Sequence, residues 1–200
     1  MKKSYVMAGM GTFLLLSVAC ENTGTQQQEE ADTLVVMPVT EVAQMTEVRG
    51  TVGDGSSMNM LELVTADYDT LDIEIANSLV AGSIAAGNDI DVIYSNVEGT
   101  LVSSIAINLT ALQHLWTQRN AQGNLQSLEI NAEGQAATYN MAGLDYDHWT
   151  LKDGQLLLHA PQKAGVESSG YTDTFDILML TADTLVLGAS DSQTIFWREN

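Results

Sequence analysis

The sequence predicts an all-β protein, a small five-stranded barrel followed by an eight-stranded up-and-down barrel. Three observations predict it. Apolar and polar residues alternate in short runs from Glu47 onward, the period that gives a strand one buried and one wet face. The runs are separated by short polar turns such as Gly53-Asp54-Gly55 and Asp153-Gly154. Aromatic residues are distributed unevenly: only Tyr68 and Tyr94 lie between Glu41 and Thr110, whereas Trp116, Tyr139, Tyr146, Trp149, Tyr171, Phe175, Phe196 and Trp197 follow Ala111. That shift predicts two cores, one in residues 41–110 and one in 111–200.

The chain opens with Met1-Lys2-Lys3 and an apolar or small run from Tyr5 to Ala19. A basic end and an apolar core too short to span a bilayer predict a secretory signal peptide over residues 1–19. Ser17-Val18-Ala19-Cys20 resembles a bacterial lipobox, with Ser17 where that motif carries an aliphatic residue. The resemblance implies cleavage before Cys20 and lipidation of its thiol. Cys20 is the single cysteine of the chain, so it has no intrachain disulfide partner. Residues 20–40 then read as a lipidated cysteine and a disordered tether, because Glu21 to Asp32 offers almost nothing to bury. Gln26-Gln27-Gln28-Glu29-Glu30 resembles the acidic tracts of surface-exported lipoproteins in Bacteroidetes, and a plain solvated spacer explains it equally. The expected location is the outer membrane, lipid-anchored, on its periplasmic face or at the cell surface.

Charge narrows the partners. The chain carries 7 basic and 26 acidic side chains, a formal −19. Removing residues 1–19 takes away Lys2 and Lys3 and leaves −21. Nucleic acid and anionic headgroups repel such a surface, since phosphate binding needs clustered Lys and Arg.

In the first half, Glu47 to Val52, Met58 to Thr65, Leu71 to Ile75, Asp89 to Tyr94 and Thr100 to Leu109 read as strands, with one or two helical turns expected within Asn77 to Gly87. Five strands with a helical insertion after the third resemble an OB-fold barrel. OB-folds often hold nucleic acid, but Arg49 is the one cation of this segment, which argues against that use.

In the second half, Thr110 is expected to cap a short helix carrying Leu112, Leu115 and Trp116. Strands follow over 116–119, Leu125–Asn131, Ala136–Met141, His148–Lys152, Gln155–Ala160, Tyr171–Leu180, Thr184–Gly188 and Thr194–Arg198. Eight short strands in a meander close into a barrel wide enough for side chains or one small ligand. The segments Leu-Gln-His-Leu-Trp (112–116), Glu-Gly-Gln-Ala-Ala-Thr-Tyr-Asn-Met (133–141), Leu-Asp-Tyr-Asp-His-Trp (144–149), Gly-Gln-Leu-Leu-Leu (154–158), Thr-Asp-Thr-Phe-Asp-Ile (172–177), Leu-Thr-Ala-Asp-Thr-Leu-Val-Leu (180–187) and Ile-Phe-Trp-Arg (195–198) resemble, in order, the lipocalin-like domains of secreted Bacteroidetes proteins. His114 stands where that family usually has glycine. The resemblance implies a lipocalin-type fold and names no ligand.

Trp116, Tyr139, Trp149 and Phe175 are expected to fill the core of this barrel, or to line a ligand pocket if it is hollow. Asp67, Asp69, Asp72 and Glu74 have the wrong spacing for a calcium loop and read as solvated turn and strand acids. Asp145, Asp147 and His148 lack a second nearby histidine in sequence. No catalytic set, metal site or cofactor motif is expected. Asp32-Thr33-Leu34 resembles a Bacteroidetes O-glycosylation site, which would place a sugar on Thr33. The expected role is a non-enzymatic envelope lipoprotein acting as an accessory or interaction module, with a protein partner. The alternative is a carrier of a small apolar ligand.

Overall fold

The computed structural model describes residues 44–161, 170–190 and 192–198. The expected signal peptide, Cys20, the tether and Thr33 lie outside the described residues.

The first sheet contains β1 (Met45–Val52), β2 (Met60–Thr65), β3 (Thr70–Glu74), β4 (Leu79–Ala81), β5 (Asp89–Val97) and β6 (Thr100–Asn108). Its order is β3-β2-β1-β5-β6-β4, and a parallel pairing of β3 with β6 closes a five-stranded barrel. β3 meets β6 at Leu101 and Val102, and β4 takes the same edge further along, opposite Ile105 to Ile107. Alternation along the strands sends Leu61, Leu63, Ile73, Ile90 and Val92 inward to form the core of this barrel, as a period of two requires.

The helical turns expected in Asn77 to Gly87 are not formed. Leu79 to Ala81 is instead the short parallel strand β4. A helix this short nucleates poorly in isolation, and pairing with β6 satisfies the same backbone groups. Gly82 ends the strand at φ +86°, a conformation in which a Cβ would lie 2.7 Å from that of Asn108. Its N–H donates to the Leu180 carbonyl of the second barrel at 3.0 Å.

Helix α1 (Leu109–Leu112) is capped by Asn108, whose side chain accepts from the Ala111 N–H. Thr110, the expected cap, sits inside the helix, and Trp116 belongs to the next strand. Asn108 wins because its amide also donates to the Ser83 carbonyl and to Asn88 Oδ1, so one side chain ties three segments together.

The second sheet contains β7 (Leu115–Arg119), β8 (Leu125–Ile130), β9 (Ala136–Tyr139), β10 (His148–Lys152), β11 (Gln155–His159), β12 (Thr172–Leu180), β13 (Thr184–Ala189) and β14 (Ser192–Arg198). The order is β10-β11-β12-β13-β14-β7-β8-β9, antiparallel throughout. First and last strands meet through Trp197 opposite Thr117 and Arg198 opposite Trp116. Between β9 and β10 the seam is held by a Gln135–His148 bridge and two hydrogen bonds, Ala136 N–H to Asp147 O and Trp149 N–H to Gly134 O. This is an eight-stranded, nearly closed barrel.

Its core packs Trp116, Leu128, Ile130, Leu156, Leu158, Leu185 and Phe196. Ala81 and Ile107 of the first sheet, and Leu109 of α1, belong to that same cluster. The barrels are also bridged at the β10–β11 turn. Arg49 Nη2 donates to the Leu151 carbonyl at 3.2 Å, and the Asp153 N–H reaches Glu47 Oε2 at 3.4 Å.

Candidate functional site

Inward positions of the second barrel divide it into two halves. Toward α1 the interior is filled. Trp116 is fully buried and its indole N–H donates to the Leu112 carbonyl at 2.8 Å. Trp149 is also buried, with its N–H on the Asn131 carbonyl at 2.9 Å. Two indoles with satisfied donors close this half.

Toward the β7–β8 and β13–β14 turns the same strands leave space. A cavity of about 180 Å³ lies between Leu128, Leu158, Phe175, Leu187 and Phe196, with Gln118, Gln126 and Thr194 as polar wall groups. The β9–β10 loop roofs it with Met141, Ala142, Leu144 and Tyr146. A volume of this size suits one ring or a short apolar chain, since dry cavities of about 150 Å³ hold a benzene, and it is below the range of drug-sized pockets.

The roof is tied down. Thr138 Oγ1 donates to the Leu144 carbonyl at 2.8 Å, and Tyr171 donates to Gly143 O at 3.3 Å. The Tyr146 hydroxyl donates to Asp173 Oδ2 at 2.6 Å. Burial and that carboxylate hold the phenol protonated far above the usual tyrosine range. On the wall, Gln118 Nε2 donates to Gln126 Oε1 and Gln126 Nε2 to the Asn140 carbonyl. Among the described residues, Gln118 Oε1 and the Thr194 hydroxyl have no hydrogen bond, so both can orient the polar end of a guest.

Of the four aromatic residues expected around a pocket, Phe175 lies on this wall. Trp116 belongs to the packed half. Trp149 does too, and it also borders a crevice of about 730 Å³ between the barrels, along with Arg49, Tyr68 and Gln113. Tyr139 is half-exposed on the outer face, with its hydroxyl on Glu129 Oε2 at 2.6 Å. Met141, Leu144 and Tyr146 were not anticipated as wall residues. Met141 was expected to end a strand over Ala136–Met141, but β9 stops at Tyr139, and all three sit in the following loop, where no periodicity assigns a facing.

Other polar clusters sit outside the cavity. His148 Nδ1 lies 2.6 Å from Asp147 Oδ1, and the His148 ring stacks on His159 with centroids 4.3 Å apart. Among the described residues, no group of three or more His, Cys, Asp or Glu side chains is placed to hold a metal.

An eight-stranded antiparallel meander, packed at one end and hollow at the other, is a barrel of lipocalin-like fold. Residues 108–199 match the family model described as lipocalin-like. A solved structure of a lipocalin-like protein from Bacteroides thetaiotaomicron VPI-5482 is similar at 26% identity and a TM-score of 0.38, covering 44% of this chain and 97% of that one. No curated protein matches the chain.

Proposed function

We propose that the second barrel binds a small apolar molecule, or the apolar end of a larger one, in the cavity beneath the 141–146 loop. The observation that carries this reading is the 180 Å³ space among Leu128, Leu158, Phe175 and Leu187. Filling it with a guest removes apolar surface from water. The wall offers amides and a hydroxyl, groups that orient a ligand, and the role is therefore non-enzymatic carriage or sensing.

Titration with indole, followed by NMR shifts of the Leu128, Leu158 and Leu187 methyl groups, tests this. Saturable shifts are expected in the wild type, and Leu144→Trp, which fills the space from the loop, should abolish them. Absent shifts, or shifts unchanged in the variant, would reject the reading. Native mass spectrometry of protein isolated from its host would give the mass of the natural guest.

The accessory envelope role forms a second reading, favoured by the Ser17-Val18-Ala19-Cys20 stretch. In this reading Cys20 carries the lipid, residues 20–40 are the tether and an OB-like first barrel stands between anchor and binding barrel. The strand order of the first sheet, with β1 between β2 and β5 and β3 parallel to β6, supports the OB-like description. Radiolabelled palmitate should enter the wild type and not Cys20→Ala, and equal labelling of both would remove the anchor.

A further inference from the structure

We propose that a second pocket, at the opposite end of the second barrel where it meets the first sheet, binds a small oxyanion. This pocket measures about 240 Å³ and is bordered by Asn88, Asn108, Thr110, His114 and Arg198 among others. Among the described residues no carboxylate lines it, in a chain with 26 acidic and 7 basic side chains.

Hydrogen-bond bookkeeping points to the ligand class. Asn108 has both amide hydrogens committed: Nδ2 donates to Ser83 O and Asn88 Oδ1, and Oδ1 accepts from the Ala111 N–H. Asn88 Oδ1 also accepts from the Ala85 N–H, so that residue has only its amide hydrogens left. Thr110 Oγ1 accepts from the Asp89 N–H at 2.9 Å, which leaves its O–H to donate. Arg198 commits one nitrogen, Nη1, to the Ala182 carbonyl at 3.4 Å. The His114 ring stands edge-on to Trp116 at 6.0 Å and has no hydrogen-bond partner among the described residues. The Asn88 side-chain oxygen is consumed while donors remain on Asn88, Thr110 and Arg198, the last a permanent cation. A ligand presenting several acceptor oxygens and negative charge fits such a set, because hydrogen bonds to charged partners are the strong ones.

The electrostatics agree. Burial and then Arg198 hold the His114 ring below its ordinary pKa. Two acids next to pocket residues in sequence are engaged by hydroxyls: Asp183 by Thr181 and Thr184, and Asp89 by Thr51. An anion between His114 and Arg198 would relieve their repulsion and favour the imidazolium.

Sulfate, whose charge is constant across the relevant pH, is the probe. The imidazole resonances of His114, His148 and His159 are followed as sulfate replaces chloride at fixed ionic strength. His114 is expected to shift saturably and its pKa to rise by roughly half a unit or more, while the stacked pair stays unmoved. Arg198→Gln should weaken binding roughly tenfold, and Thr110→Val, at an exposed position, severalfold. The proposal falls if His114 does not respond, if all three histidines move together, or if both variants bind sulfate like the wild type.

Discussion

Arg49 and Asp91 face each other across β1 and β5, with the guanidinium Nε 2.6 Å from a carboxylate whose side chain is only 1% exposed. The same guanidinium reaches the Leu151 carbonyl in the second barrel. Arg49→Met should therefore strand a buried charge and cost about 3 kcal/mol, the low end for a broken buried pair because Arg49 is half-exposed. Urea unfolding measures it. Pairing the change with Asp91→Leu should recover most of the loss, and no recovery would place the effect elsewhere.

Gly154 occupies the second position of a two-residue hairpin turn, with Asp153 at φ 52° and Gly154 at φ 76°. A Cβ there would sit 2.8 Å from Ile105 Cδ1 of the first barrel. Gly154→Ala combines backbone strain with a clash at the junction, for a loss of about 2 kcal/mol. Thermal melts would show it as a lower Tm, and an unchanged Tm would mean the junction yields freely.

Tyr146→Phe removes the hydrogen bond to Asp173 that fastens the cavity roof. A cost of about 1–2 kcal/mol is expected for the lost bond to a carboxylate. Faster amide exchange confined to 141–147 would mark the roof as the affected part, whereas uniform acceleration would indicate global destabilisation alone.

Two histidines make stability depend on pH. Burial and then Arg198 lower the pKa of His114, and burial and then His148 lower that of His159. The folded state thus binds fewer protons than an unfolded chain titrating near 6.5. Their contribution is complete above about pH 6.5 and declines as pH falls toward the folded values. Asp183, whose carboxyl is lowered by the Thr181 and Thr184 hydroxyls, acts only below about pH 4. Tm should drop between pH 7.5 and 5.5, and less steeply in His114→Gln/His159→Gln.

Local grammar made most strands legible. Asp153-Gly154 announced its turn, and the alternation of Leu61 and Leu63 with Met60, Glu62 and Val64 announced a strand, though not which face is buried. What failed was set by distant partners. β4 exists because β6, some 25 residues later, offers it an edge, and Asn108 caps α1 because Ser83 and Asn88 hold it there. The candidate site was half legible. Phe175 lies on a strand of clear period, but Ala136-Ala137-Thr138-Tyr139 gave no contrast to show that Tyr139 faces out. Of the roof residues, Met141 was expected in a strand that ends two residues sooner, and Leu144 and Tyr146 could not be assigned, since a loop's facing follows from tertiary bonds such as Tyr171 to Gly143.

The meeting of β7 with β14 carries a kinetic consequence. Every other ladder of the second barrel joins neighbours in sequence and can zip locally. Thr117 and Trp197, joined by a 3.0 Å bond from the threonine hydroxyl to the tryptophan carbonyl, are 80 positions apart. Drawing such a span together costs on the order of 4 kcal/mol of chain entropy. A row of hairpins would thus assemble early and cheaply, and the pace of folding would be governed by one late circularisation at Thr117 and Trp197.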